Sequence, residues 1–146
     1  MTTREAAIGA LFTRLCGAYA FTQTTRRLAS PETIAAPGEP ALALVPQPVG
    51  EIYHAPSPNV PPIRKLALFA IVYVDAGADP NTIPETLLNP IRDAIDAALK
   101  PDDPATGRCT LGGLVYSVRI QGNVEGAPGD KTGKGLAVIP INIVLP

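Results

Sequence analysis

Residues 109–125 read CTLGGLVYSVRIQGNVE, and their alternation decides the fold. Leu114, Tyr116, Val118, Ile120 and Val124 share one parity, and Val115, Ser117, Arg119, Gln121, Asn123 and Glu125 share the other. An apolar set facing a mostly polar set at a period of two marks a strand with one dry face and one wet face. Gly112 and Gly113 stand ahead of it, where a sharp turn needs residues that tolerate positive φ. A second strand answers at residues 136–145, LAVIPINIVL, with Ala137, Ile139, Ile141, Ile143 and Leu145 on one side. Residues 126–135, GAPGDKTGKG, lie between the two and are too rich in glycine for regular structure. The C-terminal quarter is therefore predicted to be a long antiparallel β-hairpin with a charged tip.

Outward from that hairpin, residues 63–74, IRKLALFAIVYV, form the most hydrophobic strand. Both of its parities are apolar from Leu66 onward, which predicts a strand covered on both faces. A helix follows it. Thr82-Ile83-Pro84-Glu85 has the form of a capping box with an early proline, and Asn89-Pro90 is expected to interrupt the helix, with Asn89 able to cap a restart. Ile91, Ala94, Ile95, Ala98 and Leu99 make one apolar stripe, Arg92, Asp93 and Asp96 face away, and Pro101 ends the run.

At the other end of the chain, residues 3–19 open as a helix. Thr2 or Thr3 caps it, Glu5 sits in its first turn, and Ala7, Ile8, Leu11, Phe12 and Leu15 line one face. Residues 21–40 are a connector carrying the basic pair Arg26-Arg27. Residues 41–45 read as a short strand ended by Pro46 and Pro48. Residues 46–62 are dense in proline, with a brief extended piece at 50–54. They are expected to be an exposed arm or a long hairpin tip, since proline cannot sit in a central strand. The predicted fold class is α+β: a mostly antiparallel sheet with two helices on one face and a long C-terminal hairpin. One domain over residues 1–146 is expected, with the arm at 46–62.

The bulk composition narrows the function. The formal net charge is -1 over 146 residues, which argues against specific nucleic-acid binding. Only 17% of residues are charged, against 46% hydrophobic. A domain of this size ordinarily carries about a quarter charged residues, so part of the surface is expected to be covered by other subunits. Cys16 and Cys109 make no disulfide framework. The first residues, MTTREAAIGALF, lack the apolar core of a signal peptide, and no apolar run approaches the roughly 20 residues of a membrane helix. A soluble protein kept in a cytoplasm, with no membrane partner, is expected.

Chemistry is hard to place on this sequence. His54 is the one histidine and lies in the proline-rich arm. Without a nucleophile or a second base near it in sequence, the expectation is a solvated side chain. Asp102-Asp103 sits in a polar loop with no further ligand group nearby. Residues 129–135, GDKTGKG, resemble a phosphate loop only superficially: three residues separate Gly129 from Gly133-Lys134, no Ser or Thr follows Lys134, and no helix follows. Pro58-Asn59-Val60-Pro61 matches a PxxP pattern that carries little information in so proline-rich a stretch. No enzymatic activity, no cofactor and no metal site are expected.

Several pieces, taken in order, resemble the tail terminator (minor tail) proteins of long-tailed bacteriophages and gene transfer agents. The N-terminal helix is followed by Arg26-Arg27-Leu28, and Pro40-Ala41-Leu42-Ala43-Leu44 opens the first strand. Residues 89–99, NPIRDAIDAAL, are similar to the helix before the last hairpin. Thr110-Leu111-Gly112-Gly113 and residues 121–126, QGNVEG, frame the strand that follows, and Ile139-Pro140-Ile141 lies in the last one. The resemblance implies a ring, hexameric in that family, that caps the tail tube, stops its polymerisation and joins the tail to the head connector or stopper. The implied partners are further copies of the chain, the tail tube protein and the connector. The implied location is the neck end of the virion tail, after assembly in the host cytoplasm. The subunit or partner interface is expected to draw on Arg26, Arg27, His54, Arg64, Asp130, Lys131 and Lys134. The alternatives are a neck or head-closure protein of the same virion and, from another class, a small-ligand-binding α+β domain.

Overall fold

A computed structural model describes residues 2–28, 39–127 and 133–146. Helix α1 spans Arg4–Cys16. Thr3 caps it, its hydroxyl oxygen accepting the Ala6 N–H at 3.1 Å. Ala7, Leu11 and Leu15 fall on one face and are fully buried.

Helix α2 spans Pro84–Ala98. Its N-cap is Ile83, which offers no side-chain cap. Thr82 is instead part of the preceding turn and donates its N–H to the Asp79 carbonyl at 3.1 Å, so the expected capping box does not form. Pro84 supplies the fixed φ of a first helical residue. The helix also runs through Asn89-Pro90 without the expected interruption. Pro90 lies on the exposed side, so the backbone bond it forfeits is lost where water can replace it. Burial of Leu88, Ile91 and Ile95 holds the opposite side.

Six strands are present among the described residues: β1 (Gln23–Thr25), β2 (Ala41–His54), β3 (Ile63–Asp75), β4 (Ser117–Ile120), β5 (Glu125–Ala127) and β6 (Lys134–Val144). Their order is β1-β2-β3-β6-β4, with β5 also paired to β6. β1 runs parallel to β2, and the other pairings are antiparallel. The sheet is thus mixed and mostly antiparallel, and the class is α+β.

Both helices cover one face. Leu42 and Leu44 of β2, alternate residues of β3 from Leu66 to Val74, and Ile139, Ile141 and Ile143 of β6 join the buried helix residues in one core. Each fully buried branched aliphatic side chain contributes roughly 1.5–3 kcal/mol. The other parity of β3 is buried too. Ile71 and Tyr73, with Ala41, Ala43 and Val45, form a second cluster, flanked by the partly buried Phe69, Leu136 and Val138. Double coverage of β3 is what its uninterrupted hydrophobicity predicted.

β1 lies within residues 21–40, where only a connector is expected, because its three residues pair with the start of β2. Two further strands depart from expectation. β2 does not stop at Val45 but continues through Pro46 and Pro48 to His54, where it pairs with Ile63. The prolines are tolerated because β1 pairs only with Ala41, Leu42 and Ala43, so their missing donors fall on a sheet edge. The proline-rich segment is consequently the distal part of a long β2–β3 hairpin. The second departure is the expected long strand over residues 109–125. Strand β4 starts only at Ser117, and Leu111, Gly112 and Gly113 all have positive φ (51°, 73° and 89°). Three consecutive left-handed residues cannot be pleated, so the alternation shifts ahead of β4: Val115 is buried, whereas Tyr116 is 53% exposed. The hairpin itself is present, with β4 and β5 laid in turn along β6. Cys16 is half-buried, Cys109 is buried, and both are free thiols.

Candidate assembly surface

The β2–β3 hairpin is the most exposed apolar feature among the described residues. Val49, Ile52, Tyr53, Val60 and Ile63 all stand at least 41% exposed along it. Its base is irregular: Pro46 pairs with Leu68 and Glu51 with Leu66, so residues 47–50 bulge out opposite Ala67 alone. Gly50 takes φ +64° there, and the Gln47 side-chain amide donates to the Leu68 carbonyl at 2.9 Å. Such a bulge bends the strand and increases its twist.

The hairpin is braced from α1. Arg4 Nε donates to both Glu51 carboxylate oxygens, at 3.1 and 2.9 Å, and Arg4 Nη2 donates to the Tyr53 hydroxyl at 2.8 Å. The bifurcated contact raises the Arg4 pKa, first through the hydrogen bond to Glu51 and then through its charge. The sequence offered no sign of this brace, because 47 and 49 residues separate the partners.

The expected interface residues divide between places. His54 and Arg64 come together on the hairpin, where Tyr53 pairs with Arg64 and His54 with Ile63. Lys134 lies at the far end of β3, with its ammonium 3.4 Å from the buried Asp75 carboxylate. Arg26 forms a two-pronged ion pair with Glu5 of α1 on the exposed surface, one contact being 3.2 Å. That pairing lowers the Glu5 pKa and raises that of Arg26. Arg27 is exposed, and its backbone N–H donates to the Thr25 hydroxyl at 3.0 Å. Asp130 and Lys131 lie outside the described residues, as do residues 128–132 of the hairpin tip as a whole.

Asp102 has a structural role that reading the loop as simply polar missed. Its carboxylate accepts the Thr110 N–H and hydroxyl, both at 2.8 Å, the Gly112 N–H at 3.1 Å and Arg14 Nη1 at 3.4 Å. The Thr110 amide above all, against some burial, holds this carboxyl far below the ordinary range. Asp103 is lowered as well, first by the Thr106 hydroxyl, which donates to it at 2.6 Å. One aspartate thus ties α1 to the left-handed turn that delivers the chain into β4. The signal available in sequence was an aspartate eight residues before a threonine and ten before a glycine, too general to read.

Among the described residues, no group of three His, Cys, Asp or Glu side chains could hold a metal ion. No helix among them is long and apolar enough to cross a membrane. The arrangement offers exposed apolar side chains on a braced projection, with charged residues at two separate places.

The fold has a counterpart. A chain in the solved virion of a native gene transfer agent particle matches it with a TM-score of 0.51 and 14% sequence identity, over 94% of this chain and 92% of that one. No family model matches the sequence, and no curated protein matches it. At this identity the likeness is one of fold, and it extends over nearly the whole length of both chains.

Proposed function

We propose that this chain is a virion assembly protein of the tail-terminator kind. Copies of it form a ring, six-membered as in the family it resembles, on the end of the tail tube. The ring halts tube growth and presents a surface to the head connector. The chain works through surfaces and carries out no reaction. The observation that carries this reading is the end-to-end fold match to a chain of a gene transfer agent virion. The braced hairpin agrees with it, because exposed Ile52, Tyr53 and Ile63 would gain burial on a neighbouring subunit or on the tube.

Negative-stain imaging and native mass spectrometry of the purified protein, alone and with tail tubes, test the proposal. Closed rings, free or seated on tube ends, are the expected result. A protein that stays monomeric under both conditions and leaves tube length unchanged would reject it.

A further inference from the structure

Beyond α2, the chain turns back along β4 and encloses a groove of about 610 Å³. Ile63, Leu99 and Val144 give it an apolar wall, and Arg108 and Arg119 give it charge; no carboxylate lines it. The Arg108 guanidinium lies over the Tyr116 ring, 3.8 Å from the centroid. Its Nε is buried and has no hydrogen-bond partner among the described residues. Asp103 feels the Arg108 charge from the neighbouring turn, yet neither Arg108 nor Arg119 forms an ion pair among the described residues. Guanidinium groups match carboxylates in a forked geometry. The groove is therefore complementary to an aliphatic side chain accompanied by a carboxylate.

The surface of the same chain carries such a pair. Nine large apolar side chains are exposed among the described residues. Of these, Val49, Ile52 and Tyr53 lie within two positions of an acid, but that acid is Glu51, which Arg4 already holds. Ile83, 55% exposed, is the other, and Glu85 stands two residues on, exposed and without an ion pair among the described residues. Pro84 between them fixes the backbone, which lowers the cost of ordering the pair on binding. Ile83 is the N-cap of α2, and Leu99, in the groove wall, is its C-cap. Knob and socket are thus held about 24 Å apart by one helix at 1.5 Å per residue, too far to meet within a subunit.

We infer that Ile83 and Glu85 of one copy enter the Arg108–Arg119 groove of the next. The contact rests on the ring reading above and assigns two surfaces to it. Because knob and socket are different patches, the contact is head-to-tail, the kind that closes into rings or extends into filaments.

Charge exchange between copies tests the inference. Arg119→Glu and Glu85→Lys are both exposed changes that leave the core untouched, and unchanged thermal unfolding of each variant verifies this. Each variant alone is expected to associate at least about thirtyfold more weakly than wild type by sedimentation velocity, in line with the loss of one side of a paired contact. Mixed in equal amounts, the two variants can alternate, Glu85 meeting Arg119 and the new lysine meeting the new glutamate, so assembly returns. Restoration in the mixture is a result that misfolding cannot produce. If both single variants assemble like wild type, or if the mixture fails as its components do, the contact is overturned and the ring reading stands. If wild type itself remains monomeric with and without tail tubes, the ring reading fails first, and this contact with it.

Discussion

Gly77 and Gly133 meet backbone to backbone where β3 ends and β6 begins. A Cβ placed on Gly133 would collide with the Gly77 carbonyl oxygen, and Gly133 holds φ +87°. The Gly133 carbonyl accepts the Ala76 N–H at 2.9 Å, and Asp75 binds the Gly77 N–H at 2.8 Å. Gly133→Ala therefore meets both a left-handed backbone and a backbone collision. We expect it to lower stability by about 2 kcal/mol or more, read from the midpoint of urea unfolding. A variant with the wild-type midpoint would show that the two segments are not so closely apposed in solution.

Asp102 should set the acid limit of the turn it organises. Its pKa in the folded state is depressed, so its contribution to stability is fully present above the unfolded value of about 3.9. It is lost as pH falls below that value towards the depressed folded value. Asp102→Asn should cost about 1–2 kcal/mol at neutral pH, because Thr110, Gly112 and Arg14 lose a charged acceptor at a site open to water. The diagnostic measurement is stability against pH: the difference between wild type and variant should be constant from pH 5 to 8 and shrink below about pH 4. A difference that widens in acid would contradict the assignment.

Arg26 and Arg27 should behave differently from each other. Arg26 is engaged by Glu5 of its own chain on an exposed surface, where ion pairs contribute little. Arg26→Ala should unfold at the wild-type temperature and assemble as wild type does. Arg27 has no side-chain ion pair among the described residues, so if the basic pair contacts a neighbouring subunit, Arg27→Ala is the variant that weakens assembly. Sedimentation and thermal unfolding of both variants check this, and equal assembly defects in the two would refute the distinction.

Shortening the hairpin should separate folding from assembly. His54 pairs with Ile63, so residues 55–62 can be replaced by Asn-Gly, a two-residue turn that suits the twist of antiparallel strands. The shortened protein should keep its helical and strand content by circular dichroism and its urea midpoint, yet assemble poorly on tubes. Full assembly of the shortened chain would remove residues 55–62 from the interface.

Much of this architecture was legible because it depends on local periodicity. The stripe of α2, the dry face of β6 and the two-sided hydrophobicity of β3 are each written in consecutive residues, and each took the expected form. Two local readings failed, the capping box at Thr82–Glu85 and the break at Asn89-Pro90; the other departures depended on partners distant in sequence. Pro46 and Pro48 read as strand terminators, and only the shortness of β1 makes them acceptable on an edge. Residues 109–116 kept a plausible alternation, but Asp102 and a left-handed Leu111 turn them aside. The ion pair of Arg26 with Glu5 on α1, 21 residues away, likewise has no local trace. The Arg108–Arg119 groove was invisible for the same reason: α2, β3, β4 and β6 each contribute to its walls or edges, and no segment carries it alone.

The bulge at the base of the β2–β3 hairpin has an evolutionary consequence. Four residues stand opposite one at this point, so the ladder beyond it does not inherit its direction rigidly from the ladder before it. Insertions or substitutions within residues 47–50 can re-aim or lengthen the projection while the pairing of Ala41–Pro46 with the central strand stays as it is. The core and the projection can then drift under separate selection, and a change of docking partner need not wait for the subunit to be rebuilt.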